Sequence, residues 1–346
     1  MSLRVEAYGT LKDGRAVQRF TLECGELCCR ILDYGGIVTE LWVPDAQGER
    51  ADVVLGLPSL EAYEKGHPYF GAITGRVAGR ISGGRFELMG EELQLLCNQE
   101  PNHLHGGEVG LDKRIWDAQY GETSQGEPWL ELCYLSPHGE EGYPGTVNLM
   151  VRYTLTRDAA LRIDYDAETD RPSILSLTNH SYFHLAGEGS GDLAGHSLQI
   201  SAEQMVQAAE DGTLSDEAVS VAGTAHDFRE ARLIDSFIAA PHNLHGEHYL
   251  LRKENAALPE KVAELSHAAS GRRMEVLTTT TGLQLYTGKF LDDEPLTGKA
   301  GAIYPAHGGL CLECQGYPNA MNAPHIDDIG LCPGQRYQQT TLYRFI

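Results

Sequence analysis

ALRIDYDAET, residues 160–169, alternates with a period of two. Leu161, Ile163 and Tyr165 fall on one face, and Arg162, Asp164 and Asp166 on the other. That is the pattern of a half-buried β-strand, not of a helix. Outward from it, similar segments recur. They include CCRILDYGGIVTELWVP (28–44), GRFELMGEELQLL (84–96), GTVNLMVRYTLT (145–156), RRMEVLTTT (272–280), LQLYTGKFL (283–291) and RYQQTTLYRFI (336–346). Gly, Asp, Asn and Pro separate them, and 39 glycines supply frequent turns. Arg157-Asp158 reads as the tip of a hairpin, although its loop lacks glycine. Helix candidates are few; the best is 59–65, with Ser59 as N-cap. No repeat of 20–50 residues and no Pro/Ser-rich linker divides the chain. The expectation is an all-β fold, a single large antiparallel β-sandwich spanning residues 1–346.

The charge balance bounds the partners. With 27 basic and 49 acidic residues among 346, the net charge is −22. That disfavours nucleic acid, whose binding needs cations to neutralise phosphates, and an anionic membrane surface. It leaves room for a neutral small molecule. The N-terminal stretch carries no apolar core of signal-peptide length, and no run of about 18 apolar residues occurs; a cytoplasmic protein is expected. Eight cysteines without a signal peptide read as reduced thiols. Cys311 and Cys314 form one CxxC, but on a strand residues three apart face opposite sides, which separates the thiols.

Four stretches carry chemistry-bearing residues. In LTNHSYFHL (177–185), an extended chain puts His180, Tyr182 and His184 on one face and Asn179, Ser181 and Phe183 on the other. A polar-aromatic face of this kind suits a cavity floor; the plainer alternative is a hydrogen-bonded histidine on a sheet. GRVAGRI (75–81) offers Arg76 and Arg80 but no Gly-Lys-Ser/Thr phosphate loop. Its arginines either grip ligand oxygens or border a solvated turn. NHLHGG (102–107) puts His103 and His105 on one face of any strand. A metal pair would need a third ligand, for which PHNLHGEH (241–248) offers candidates, yet no established zinc spacing is present. In GLCLECQGYP (309–318), Glu313 stands between apolar neighbours. A cavity-facing, desolvated carboxyl there has the raised pKa of a general base; on an exposed strand face it would be ordinary.

Together and in this order, these stretches resemble the aldose 1-epimerase (galactose mutarotase) family. The resemblance runs through YFGAITGRVAGRI (69–81), NHLHGG, GYPG (142–145), the run from 153 to 187, VAGTAHDFR (221–229), TGLQLYTGKFLDD (281–293), LCLECQGYPNAMN (310–322) and CPGQRY (332–337). It implies the large "supersandwich" type of β-sandwich, with a sugar in an open cleft on one sheet. It implies Glu313 as general base, His180 as general acid, and Arg80, His105, Gln284 and Glu247 as sugar-binding residues. Tyr182 or Tyr286 would cover a sugar face. No cofactor or metal is implied, the partner is a small monosaccharide, and a monomer or homodimer is expected.

Three positions depart from the family's pattern. Gly79 replaces an asparagine, His184 replaces an asparagine, and Glu247 replaces an aspartate. The implied reaction interconverts α and β anomers of a free aldose by ring opening, with an ionised carboxylate taking one proton and an imidazolium giving another. Three rivals remain at this level. One is a non-catalytic carbohydrate-binding relative. The second is a hexose-6-phosphate 1-epimerase, which would need extra basic residues at the cleft. The third is a glycosidase built on Glu313 and Glu247.

Overall fold

The computed structural model describes residues 2–239, 245–255, 257–293 and 296–346. Ala160–Thr169 forms the strand its alternation demands, with alternate residues buried. It is central in a nine-stranded antiparallel sheet. The order runs Asp117–Glu122, Pro128–Ser136, Val147–Leu155, Ala160–Thr169, Tyr337–Phe345, Arg272–Thr278, Glu260–His267, His196–Ile200 and Arg232–Leu233. The hairpin joining Val147–Leu155 to Ala160–Thr169 turns at 156–159. The left-handed residue that a glycine would usually supply is Ala159, at φ +57°.

A six-stranded sheet packs against it, in the order Tyr182–Phe183, Leu310–Gln315, Gly282–Tyr286, Glu247–Leu250, Gln204–Ala208 and Leu214–Ser220. Leu161, Ile163 and Tyr165 of the first sheet share one apolar core with Leu283, Leu285, Leu310, Leu312 and Cys314 of the second. Burying each Leu or Ile contributes roughly 1.5–3 kcal/mol. Polar tips are satisfied across the core: the Tyr343 hydroxyl donates to the Leu312 carbonyl at 3.0 Å, and Gln339 Nε2 to the Cys314 carbonyl at 2.9 Å. A third, five-stranded sheet covers Ser2 to Asp52. The helix over Leu60–Glu64 forms where expected, with the Ser59 hydroxyl accepting from the Ala62 N–H at 3.3 Å.

This layering positions the site. On Leu310–Gln315, residues 310, 312 and 314 point into the core, so 311, 313 and 315 point to the opposite face. The CxxC thiols are thereby separated, and none of the eight cysteines forms a disulfide. No helix among the described residues is long and apolar enough to cross a membrane.

Candidate active site

The outer face of the six-stranded sheet floors a cleft of about 190 Å3. Cross-strand partners share a face, and His248, Gln284 and Glu313 are partners in one row. Tyr182, Cys311 and Tyr286 form the next. Glu313 is 2% exposed. Its Oε2 and the neighbouring Gln284 Oε1 have no hydrogen-bond partner among the described residues. Unpaired buried acceptors are costly, and at a cleft floor they are groups available to a ligand.

LTNHSYFHL does not run as one strand. Thr178–Asn179 pairs with Ile73–Thr74, Tyr182–Phe183 pairs with Leu310 and Cys311, and the chain breaks direction between them. His180 sits at that break. Its backbone is pinned by its N–H to the Ala72 carbonyl and its carbonyl from the Gly71 N–H. Its ring stacks on Tyr182 at 5.0 Å and on Tyr69 at 5.8 Å. Nε2 lies 3.7 Å from Glu313 Oε1. The expected common face for His184 fails because the strand carrying Tyr182 ends at Phe183. Beyond that end the His184 ring turns to the Asp192 carbonyl at 2.8 Å and packs on His196, outside the cleft.

His103 and His105 also part company. His103 bonds the Leu96 carbonyl and the Tyr143 hydroxyl in a separate apolar cluster. His105 adopts a left-handed backbone at φ +49° and swings into the cleft. Glycine must follow: a Cβ on Gly106 would lie 1.6 Å from the Gly75 carbonyl oxygen. The paired-histidine metal reading therefore fails. His105, His180 and Glu313 do bring ligand atoms within 4.8 Å of one another. However, the Gly79 N–H donates to His105 Nδ1 at 3.0 Å. The neutral ring then carries its proton on Nε2, the reverse of a ligating histidine. The arrangement makes His105 a hydrogen-bond donor into the cleft. Of the other metal candidates, His242 lies outside the described residues, and His248 is buried in the sheet row above.

The two arginines separate by role. Arg76 is buried, and all five of its N–H donors are used, on Ser136 Oγ and the carbonyls of Ser136, Pro137, Pro144 and Gly145. It is a structural clamp, not part of a solvated turn. Arg80 lines the cleft and donates from Nε to Gln99 Oε1 at 2.6 Å. Gly79, where the resemblance implied an asparagine, has no room for one: a Cβ there would lie 2.4 Å from Pro318 Cγ.

Glu247 departs from expectation. It pairs with Leu285, a core residue, and so projects into the sandwich and not into the cleft. The one-residue period decides this: His248 takes the cleft face and Glu247 the core face. Glu247 Oε1 lies 3.9 Å from His226 Nδ1. The glycosidase reading falls with it, because Glu247 and Glu313 face opposite sides of one sheet. Burial pushes the Glu247 carboxyl up to about 8. A carboxyl with a raised native pKa favours folding while neutral and loses that advantage as pH rises through the native value. Glu247→Gln is thus expected to keep sugar turnover within about threefold, an effect below the usual worth of an acid–base group. Its gain in melting temperature over the parent should grow between about pH 5 and pH 9. Polarimetric assays with thermal melts at both pH values check this; a tenfold loss of activity would return Glu247 to the cleft.

Tyr69, Gln99, His245 and Phe290 also line the cleft and were not singled out for it by sequence. His245 Nδ1 lies 3.5 Å from Arg80 Nη2, and its ring is 5.1 Å from that of Phe290. Tyr69 shares with His105 a left-handed backbone, at φ +60°. Such strain collects at functional sites, but a sequence does not display it.

The electrostatics of the central pair are inverted relative to free side chains. Burial pushes Glu313 up to about 8, with the Arg80 charge opposing. Burial also pulls His180 down to about 4. Between about pH 4 and pH 8 these shifts put the pair's proton on Glu313, not on His180 as unperturbed values suggested.

Comparison with known proteins follows the same line. The sequence profile of the aldose 1-epimerase family matches residues 18–344. Galactose mutarotase of Rattus norvegicus is 42% identical over 347 residues, covering 100% of this chain and 99% of the relative. Aldose 1-epimerase of Escherichia coli (strain K12) is 33% identical, covering 96% of each chain. Among solved structures, an aldose epimerase homologue from C. elegans superposes with a TM-score of 0.86 at 28% identity, covering 95% of this chain and 99% of that one.

Proposed function

The chain belongs to the aldose 1-epimerase family, and from that premise we propose that Glu313 and His180 carry out its acid–base chemistry. The enzyme is an aldose mutarotase, an isomerase acting on sugars. The observation that carries the residue assignment is the 3.7 Å gap between His180 Nε2 and Glu313 Oε1. It is too long for a hydrogen bond between them, yet it lets each reach a different oxygen on the same anomeric carbon. Glu313 takes the proton of the C1 hydroxyl, and the C1–O5 bond breaks as His180 delivers a proton to O5. Rotation about C1–C2 and reclosure with roles reversed gives the other anomer. The pair needs one proton between its members throughout. Sugar hydroxyls donating to Glu313 favour its ionised form, which returns that proton to His180.

His105 Nε2–H and Arg80 stabilise charge at the ring oxygen. Gln284 takes a remote hydroxyl through its open Oε1, and Tyr182 and Tyr286 wall the sugar. The substrate is a free monosaccharide. Arg80 is the one Lys or Arg among the described lining residues, which does not favour a sugar phosphate. The protein acts in the cytoplasm, without nucleic acid or membrane, as a monomer or homodimer. Polarimetry on freshly dissolved α-D-glucose and α-D-galactose tests the reading. Catalytic amounts should speed the approach to an unchanged final rotation; unaltered rates for both sugars would defeat it.

A further inference from the structure

His180 can deliver a proton to the sugar only as an imidazolium, and burial and the Arg80 charge both work against that form. Two phenol rings flank the imidazole. Tyr182 lies 5.0 Å away between centroids with the planes 29° apart, and Tyr69 lies 5.8 Å away with the planes 27° apart. The face of an aromatic ring is its negative side. A cation within about 6 Å of the centroid is attracted to it, more strongly where water is excluded.

The Tyr69 contact is built by the backbone. The Ala72 N–H donates to the Tyr69 carbonyl at 3.0 Å and closes a turn over 69–72. Within that turn the Gly71 N–H holds the His180 carbonyl at 3.0 Å, and the Ala72 carbonyl holds the His180 N–H at 2.9 Å. One turn thus grips the His180 backbone and lays a ring along its side chain. Tyr69 takes a left-handed backbone there, at φ +60°, which is costly for a residue with a bulky side chain. The same ring lies 4.5 Å from that of His105.

We propose that Tyr69 is a positioning residue for His180: its ring, paired with that of Tyr182, stabilises the imidazolium form of the acid through a cation–π contact. This rests on the reading of His180 as the acid. A ring face attracts the charged imidazole more than the neutral one, so the contact favours the protonation state that the sugar-bound enzyme needs. The other groups facing His180 are Glu313, His105 at 5.1 Å between rings, and Cys311, whose Sγ lies 3.5 Å from Nδ1, with Arg80 and His67 acting through charge.

The test compares the full-length parent with Tyr69→Leu, Tyr69→Phe and a series of fluorinated phenylalanines at 69. Fluorination keeps the ring's shape and drains its face of negative charge. The measurements are the His180 titration by 15N NMR and the mutarotation of α-D-galactose across pH. A contact that stabilises the charged ring raises its pKa, so removing it lowers the pKa. Tyr69→Leu should move the His180 titration and the acidic limb of kcat/KM down by about one pH unit, and kcat should fall about tenfold. Tyr69→Phe should keep most of the rate and the parent's limb. Each added fluorine should move the titration further down. An identical His180 titration across the fluorinated series overturns the proposal. So does a loss of rate in Tyr69→Leu with an unmoved limb, which would mark packing alone. The series decides the matter even if Tyr69→Leu fails to fold. Absence of mutarotation in the parent would instead defeat the activity reading, while the titration still decides this one.

Discussion

Replacing Glu313 with Gln lowers kcat by about 10²–10⁴-fold, the usual worth of a general base. The amide has the same shape and keeps the hydrogen-bond geometry, but it cannot take the anomeric proton. Nothing else in the cleft can substitute: among the described lining residues Glu313 is the sole acid. The fold should not suffer. Glu313 sits in the interior of the six-stranded sheet, and its backbone pairing with Gln284 does not depend on the carboxyl. Its raised pKa means that ionisation is the costly state. As pH rises from the unfolded carboxyl's value through about 8, the parent loses stability that the variant keeps. Polarimetry with a thermal melt above pH 8 therefore separates the two effects: activity collapses while the melting temperature holds or rises. Turnover within threefold of the parent would remove Glu313 from the chemistry.

The sandwich was legible because period-two alternation reports a sheet with one face in a core, and Ala160–Thr169 shows it without interruption. Glu313 was legible for the same reason, as an acid out of place in an apolar strand. What the sequence hid was direction. Spacing could not reveal that the strand carrying Tyr182 stops at Phe183, sending His184 elsewhere, or that a left-handed residue at 105 parts it from His103. Glu247 was misplaced by a single position, enough on a strand to exchange cleft for core. Arg76 and Arg80 are alike in sequence, and only the convergence of four distant carbonyls makes one of them structural. His245 and Phe290 lie in segments that the sequence marks for other reasons, a candidate ligand cluster and an apolar strand, and the fold alone brings them to the cleft.

The second large effect belongs to His180→Asn, and its pH dependence is more informative than its size. The amide can donate a hydrogen bond but not a proton, so kcat again falls by about 10²–10⁴-fold. The ring also fills the space between Tyr69 and Tyr182, so some stability is lost and rates must be normalised to folded protein. In the parent, activity requires one proton shared between two groups. Below about pH 4 His180 is charged while Glu313 is still protonated, and no base is left. Above about pH 8 Glu313 ionises beside a neutral imidazole, and no acid is left. The profile of kcat/KM is then a broad plateau with two limbs, which belong to the pair as a unit. Removing His180 should erase the alkaline limb, which reports loss of the acid, and leave residual activity with a single acidic limb near pH 8, where Glu313 ionises and becomes a base. Were both limbs to survive in His180→Asn, the acid would have to be a different group, with His105 next in reach of Glu313.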